Sequence, residues 1–312
     1  METATPAKPP RLPWVDAARC LAMLPIIWMH AGAAPSWSGR LVGGSLFLFF
    51  LLAGYFMPRR PQDMLKRAGK LLLAWGLWSL IAAALYYAVD PATPIRWQKV
   101  VGWGEDAYNT PLWFLRSLAA YYLLTALAGA LRLLPRYGWL LLILFVGFAY
   151  HVDAPQQHTL RFDWYWVLLL GHCLRAVPPA VMEAKILRHR SVLTVAAVAA
   201  LCQPSLLHAL FGEAAECSLP VHAAAYALLY FLAAVACVRR LPRLGRGMAR
   251  IGSGMVFVYV THSFFLAPFY MGYDLTVAWN LWVPFALLPL LSLSGLWLNR
   301  RFPRTMRILT AR

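Results

Sequence analysis

The sequence has little charge and very few acids. Only 13% of its 312 residues are charged, and 12 Asp and Glu stand against 29 Lys and Arg. A soluble domain carries about a quarter charged residues. Hydrophobic residues make up 61% of the chain, and the mean hydropathy is +0.58. This composition excludes an ordinary soluble domain and is typical of a polytopic membrane protein.

Cysteine spacing that would indicate a metal site or a disulfide framework is also missing. The five cysteines show no C-x-x-C pair or other metal spacing, and most lie inside apolar runs. They are Cys20, Cys173, Cys202, Cys217 and Cys237. We interpret them as small core residues and expect neither disulfides nor a bound metal.

Long apolar runs, in contrast, are abundant. A transmembrane helix needs about 20 mainly apolar residues. Ten runs meet this description, with approximate centres at Leu24, Phe49, Leu80, Leu123, Ile143, Leu169, Ala199, Leu229, Val260 and Leu288. The sequence therefore predicts an all-α integral membrane protein with about ten transmembrane helices. We expect a transmembrane domain over 13–300, a disordered cytoplasmic tail over 1–12 and a basic cytoplasmic tail over 301–312.

The distribution of charge predicts the orientation of these helices. If the N-terminus is cytoplasmic, most of the 29 basic residues fall in cytoplasmic segments and most of the acids fall outside. This follows the positive-inside rule and predicts that both termini are cytoplasmic. The net charge of +17 is then explained by topology, with the lipid bilayer as partner and without nucleic acid. Asp16 and Arg19 interrupt the apolar run that a cleaved signal peptide requires, so we expect the first helix to be retained.

The first predicted helix, DAARCLAMLPIIWMH, carries polar groups along one face. Arg19 and His30 are 11 residues apart, which is close to three whole helical turns and a rise of about 16 Å. Asp16 lies three residues before Arg19 and shares that face. An arginine inside a span costs about 2.5 kcal/mol or more, and such residues usually face a cavity or a pathway.

Two interpretations fit this polar face. In the structural one, Asp16 and Arg19 form an ion pair near the headgroups, and His30 is a core histidine whose hydrogen bonds are satisfied. In the functional one, the imidazole takes a proton from a hydroxyl, and the guanidinium binds a phosphate or carboxylate. The functional interpretation predicts a phosphorylated donor that enters from the cytoplasm.

Six stretches of the sequence, in order, resemble motifs of one known family. DAARCLAMLPIIWMH resembles the R-x10-H first helix of the membrane acyltransferase-3 proteins, which O-acylate cell-surface polysaccharides. LFLFFLLAGYFMPRR resembles the FF-x-x-SGY segment of their second helix, and LKRAGKLLLAW resembles the basic RxxR element of the third. PLWFLRSLAAYYLL is similar to their L-W-F-L…Y helix, LLLGHCL to their glycine-containing middle helix, and IGSGMVFVYVTHSFFL to their late G-x-x-S-x-x-x-Y-x-x-H helix. The resemblance runs from Trp14 to about Arg301.

The resemblance implies an acetyl-CoA or other acyl-CoA donor on the cytoplasmic side of a bacterial inner membrane. The acceptor would be a hydroxyl of a cell-surface or lipid-linked glycan. By this resemblance His30 is the general base, and Arg19, Arg67 and Lys70 hold the phosphates of CoA. The sequence departs from the family pattern at Ala53, which replaces a frequent serine, and at Lys70, which replaces an arginine. No SGNH-type esterase domain follows, so the chain resembles the short polysaccharide O-acetyltransferases, such as the enterobacterial common antigen type.

Four further residues are candidates for the site. His262 is a second catalytic candidate, although a buried histidine bonded to a backbone carbonyl explains it equally well. Asp16, Trp113 and Arg116 are candidates for binding the acceptor, but an arginine or tryptophan at the end of a span also anchors helices at the membrane surface.

Two functions of other classes are consistent with the same helices. A multi-pass transporter of an anionic or glycan substrate would also contain spans broken by proline and buried charges. A non-catalytic membrane partner is the second alternative. It predicts that replacing His30 with alanine leaves the phenotype intact.

Overall fold

The fold is helical throughout the part of the chain that the structure describes. This structure is a computed structural model, and it describes residues 11–31, 38–92, 94–101, 108–151, 162–211, 219–270 and 277–311. No strand occurs within those ranges, which confirms the predicted all-α class. The first ten residues of the predicted N-terminal tail lie outside the described residues.

Seven helices occur among the described residues of the first half of the chain. They are α1 (Pro13–His30), α2 (Ser38–Tyr55), α3 (Pro61–Val89), the short α4 (Trp97–Val101), α5 (Trp113–Ala130), α6 (Leu133–His151) and α7 (Tyr165–Leu174). Short 3₁₀ turns, Thr110–Leu112 and Phe162–Trp164, lead into α5 and α7. Within α6, Tyr137 departs from helical geometry (φ −129°, ψ 19°), so this helix is kinked.

Seven more helices occur in the part of the second half that the structure describes. They are α8 (Pro179–Arg188), α9 (Arg190–Phe211), α10 (Leu219–Arg240), α11 (Pro242–Gly252), α12 (Met255–Tyr270), α13 (Val277–Arg301) and α14 (Pro303–Leu309). Five of the fourteen described helices begin with proline, namely α1, α3, α8, α11 and α14. Proline suits this position because its φ is already helical and the first N–H has no partner inside the helix.

Four described helical segments are long and apolar enough to cross a membrane. They are Pro61–Val89, Thr110–Ala130, Val221–Arg240 and Trp282–Arg301. A fifth is possible if the bent pair Phe162–Leu174 and Pro179–Arg188 forms one span. Four shorter apolar helices also occur, namely Leu41–Tyr55, Arg136–Gly147, Arg190–Cys202 and Met255–Leu266. The ten predicted centres fall in ten different helices. Nine of these helices contain segments named above, and the remaining one is α1.

The first helix lies inside the helical bundle. α1 packs against α2, α10, α11, α12 and α13, and its buried residues lie on every side of the helix. α3 packs along α5, and α2 packs against α7 and α10. Neighbouring helices therefore enclose the polar face that carries Arg19 and His30.

The chain returns to the bundle after α13. α14 lies in the predicted basic tail and packs against α3 and α13. The indole Nε1 of Trp78 on α3 donates a hydrogen bond of 2.9 Å to the carbonyl oxygen of Leu309. The last described residues are therefore in contact with the helix that carries Arg67 and Lys70.

Candidate functional site

A cavity of about 450 Å³ opens beside the first half of α1. Its walls come from α1, α2, α3, α5, α11, α12 and the segments that precede α3 and α12. We call it the inner cavity. Its polar lining side chains include Arg19, Arg67 and Tyr122, and most of its wall is apolar. The apolar lining residues include Phe49, Leu52, Ala53, Phe56, Phe114, Leu115, Leu118, Met255 and Val256.

Hydrogen bonds hold the two arginines of the inner cavity. Arg19 Nη1 lies 3.2 Å from Asp16 Oδ1, which is the ion pair that the structural interpretation expected. Arg67 Nη1 donates a hydrogen bond of 2.6 Å to the carbonyl oxygen of Ala311, just after α14. Arg67 also interacts with the hydroxyl of Tyr122.

The inner cavity can bind an anion. Arg19 and Arg67 are close enough to repel each other electrostatically, and Asp16 pairs with Arg19. Guanidinium groups bind phosphate and carboxylate through paired hydrogen bonds, which are strong because both partners are charged. The apolar wall suits the uncharged portion of the same ligand. The volume is also within the usual range of small-molecule pockets, about 300–1,000 Å³.

The second feature of the site is a pair of histidines. The ring centroids of His30, at the end of α1, and His262, on α12, are 5.2 Å apart. His262 is completely buried, and its Nδ1 lies 2.8 Å from the carbonyl oxygen of Tyr259. A carbonyl only accepts hydrogen bonds, so Nδ1 carries the proton and Nε2 is left as an acceptor. That Nε2 has no hydrogen-bond partner among the described residues.

The segment before α5 is fastened to α12 beside His262. The amide of the buried Asn109 donates 3.1 Å to the carbonyl oxygen of Val260, and the hydroxyl of Ser263 donates 2.7 Å to Asn109 Oδ1. The hydroxyl of Tyr259 donates to the carbonyl oxygen of Pro111. These bonds fix the start of α5 next to the histidine pair.

Tyr259 connects the two features. It lines the inner cavity, and its ring centroid is 5.9 Å from that of His262. Neither His30 nor His262 is among the residues that line the inner cavity in the described part of the chain. The cationic cavity and the histidine pair are thus neighbouring regions separated by an aromatic wall.

Other predicted residues lie apart from these two features. Lys70 is exposed and lines a separate cavity of about 310 Å³ together with Arg304 and Arg307. Trp113 contacts Phe50, with ring centroids 6.3 Å apart. Arg116 Nη1 donates 2.6 Å to the carbonyl oxygen of Val101.

Sequence reasoning overlooked three residues of the site. Tyr122 and Tyr259 lie inside the quoted motifs, and Tyr259 is three residues before His262 and so on the same side of a helix. That spacing was an available signal. Asn109 precedes a Thr-Pro turn and carries no comparable signal, because an asparagine before a helix usually serves as a turn or cap residue.

Ala53 clarifies one departure from the family pattern. It lines the inner cavity, and its carbonyl oxygen lies 3.3 Å from the hydroxyl of Tyr122. The position is therefore part of the cavity wall. A methyl group there supplies no nucleophile, so the chemistry has to come from other side chains.

One family model matches most of the chain. The model of an acyltransferase domain, that of the acyltransferase-3 family, matches residues 12–299. No curated protein matches the chain. The match includes both arginines of the inner cavity and both members of the histidine pair. The chain belongs to the acyltransferase-3 family, which indicates a membrane protein with acyltransferase activity.

Proposed function

We propose that the protein transfers an acetyl or other acyl group from acyl-CoA on the cytoplasmic side to a hydroxyl of a surface or lipid-linked glycan. One observation carries this proposal. α1 places Arg19 in a cationic, largely apolar cavity and His30 against a second, buried histidine farther along the same helix. An anionic donor and a base for a hydroxyl are the two requirements of this reaction.

The proposed topology has ten spans, with both termini in the cytoplasm of a bacterium and the helices in its inner membrane. The ten separate helices at the predicted centres support the count. Four of them are short apolar helices, which suits spans that are tilted or lie within the bundle. In this topology the ion pair of Asp16 and Arg19 is near the cytoplasmic surface.

The donor would bind in the inner cavity. Arg19 and Arg67 hold the phosphates of CoA, and the apolar wall receives the chain that ends in the thioester. Lys70 was predicted to share the phosphates, and we keep it as a peripheral contribution because it lines a different cavity. No metal ion takes part in the proposed mechanism.

The acceptor would approach the histidine pair from the side of α5. The hydrogen bonds from Asn109 and Tyr259 keep the start of α5 beside His262, and Trp113 and Arg116 occupy its first turn. Trp113 would stack on a sugar ring, and Arg116 would bind an anionic group of the acceptor. Asp16, predicted as an acceptor residue, instead orients the guanidinium of Arg19 in this scheme.

The proposed reaction uses His30 as general base. Its imidazole takes the proton of the acceptor hydroxyl, and the oxygen attacks the thioester carbonyl carbon. The carbon–sulfur bond then breaks, the imidazolium gives the proton to the leaving sulfur, and CoA departs as the thiol. His262 has its Nδ1 proton engaged by a backbone carbonyl, so its free Nε2 lone pair would keep the neighbouring imidazole in a fixed orientation.

Acetylation of the surface glycan tests this function. A deletion strain would be complemented with the wild-type protein, His30→Ala or His189→Ala, and the glycan mass would be measured. His189 is an exposed histidine after α8 and serves as the matched control. We expect the glycan to carry the added acetyl mass in the strains with the wild type or His189→Ala. With His30→Ala, present at the same protein level, the glycan should lack that mass.

The alternatives predict other results. A non-catalytic partner predicts unchanged acetylation with His30→Ala. A transporter predicts that the purified wild-type protein does not turn over acetyl-CoA.

A further inference from the structure

A second cationic cavity, of about 530 Å³, lies where α2, α6 and α7 meet. Three arginines line it, each from a different part of the chain. Arg59 follows α2, Arg136 is in the first turn of α6, and Arg175 follows α7. We call it the rim cavity. It shares no lining residue with the inner cavity, although Pro58 lines one and Arg59 lines the other.

A close crossing of α2 and α7 brings Arg59 and Arg175, which follow these two helices, near each other. A Cβ atom at Gly54 would lie 2.0 Å from the carbonyl oxygen of Leu168, and a Cβ at Gly171 would lie 2.1 Å from that of Leu51. Each helix thus needs a glycine where the other helix's backbone passes. Tyr55 then donates a hydrogen bond to the carbonyl oxygen of Val177. The ends of α2 and α7 are therefore held side by side.

The rim cavity has an excess of positive charge. Its lining residues, all in the described part of the chain, include three arginines and no carboxylate. Arg59 lies close enough to Arg175 to repel it electrostatically. Arg136 lies over the ring of Tyr137, 5.3 Å from its centroid. Converging cations of this kind destabilise the fold unless an anion offsets them.

Two buried polar atoms of this cavity also have no partner. Nη1 of Arg175 and Nδ1 of His172 are both inaccessible to solvent and make no hydrogen bond with described residues. Buried polar atoms are nearly always hydrogen-bonded, because leaving one unsatisfied costs free energy. Both residues line the rim cavity, so one ligand there is near both of them.

We propose that the rim cavity is a binding site for a phosphate group, with Arg59, Arg136 and Arg175 as its ligands and His172 beside them. Three guanidinium groups from separate elements match the tetrahedral oxygens of a phosphate better than a planar carboxylate. The phosphate belongs to a soluble nucleotide or to the headgroup of an anionic phospholipid. The aromatic rings of Tyr137 and Trp139, both exposed at this cavity, would contact the rest of either molecule.

Binding to the purified full-length protein tests the proposal, with one arm for each source. In the first arm, 3′,5′-ADP is titrated into protein held in nanodiscs of zwitterionic phosphatidylcholine. In the second arm, retention of phosphatidylglycerol by the detergent-purified protein is measured by native mass spectrometry. Each arm compares the wild type with Arg175→Gln, Arg136→Gln and the control Arg188→Gln, an exposed arginine of α8.

We expect Arg175→Gln to weaken binding at least about tenfold in one of the two arms, because it removes a hydrogen bond between charged partners. Arg136→Gln reports the same loss if Arg175→Gln does not fold, and Arg188→Gln binds like the wild type. Normal binding by both cavity variants in both arms would overturn the proposal. Loss of 3′,5′-ADP binding with Arg67→Gln alone would place that ligand in the inner cavity, and would overturn the nucleotide arm without affecting the proposed acyl transfer.

Discussion

The inner cavity and the histidine pair are two regions of one site that are built in opposite ways. The inner cavity is open. Its arginines are held by hydrogen bonds to neighbouring protein groups and also line the empty volume of the cavity. The histidine pair is closed, with His262 fully buried and fixed by a backbone carbonyl. Both regions depend on α1, which contributes Arg19 to one and His30 to the other. In the proposed function, the donor binds in the open region and proton transfer takes place in the closed one.

The largest expected effect comes from the histidine pair, where a substitution should lower the transfer rate without weakening donor binding. His30→Ala removes the proposed base and should lower the rate of acetyl transfer at least about 100-fold, with little change in the KM for acetyl-CoA. The measurement is transfer of labelled acetyl groups by protein in nanodiscs. His189→Ala, the exposed control, should keep the wild-type rate. A loss below about threefold would mean that His30 is not the base.

The second largest effect comes from the inner cavity, where a substitution should mainly raise the KM for acetyl-CoA. Arg67→Gln removes a guanidinium that lines the inner cavity and should raise the KM for acetyl-CoA about 10–100-fold, with a smaller change in kcat. Lys66→Gln is the control, because Lys66 is the exposed neighbour on α3. An unchanged KM for Arg67→Gln would remove the cavity from donor binding.

A change at the crossing of α2 and α7 should destabilise the helices that support the inner cavity. Gly54→Ala places a Cβ 2.0 Å from the carbonyl oxygen of Leu168, so α2 has to move away from α7. We expect a loss of about 1–3 kcal/mol in stability, seen as a lower melting temperature of the purified protein. Gly76→Ala is the control because no atom lies within 4 Å of its added Cβ. Equal melting temperatures for the two variants would contradict the close crossing.

The smallest expected effect tests whether Lys70 contributes to acetyl-CoA binding. Lys70 is three residues after Arg67 but lines the separate cavity formed with Arg304 and Arg307. We expect Lys70→Gln to raise the KM for acetyl-CoA less than about threefold. An effect as large as that of Arg67→Gln would show that the donor reaches both cavities.

The sequence predicted the features that depend on local helical geometry. The ten apolar runs fall in ten different helices of the described residues, of which four or five are long and apolar enough to cross a membrane. One of the two interpretations of the first helix expected Asp16 and Arg19 to form an ion pair, and the structure shows that pair at 3.2 Å. The resemblance to two family motifs also identified both histidines as candidates. They are 232 residues apart in the sequence, and their rings are neighbours in the structure.

The features that depend on distant chain segments were not predictable in this way. The RxxR spacing suggested that Arg67 and Lys70 act on one ligand. The C-terminal segment instead contacts Arg67 through Ala311 and, through α14, lines a separate cavity with the exposed Lys70. Nothing in the local pattern shows where α14 packs. Asn109 was missed for the same reason, because its partners are on α12, more than 150 residues later.

Equilibrium binding of acetyl-CoA is the most direct test of separate binding and chemical regions. The wild-type protein, His30→Ala and Arg67→Gln would be titrated in nanodiscs under conditions without acceptor. The account predicts that His30→Ala binds acetyl-CoA within about twofold of the wild type although it transfers nothing, and that Arg67→Gln binds at least about tenfold more weakly. Equal loss of binding in both variants, or wild-type binding by Arg67→Gln, would contradict it.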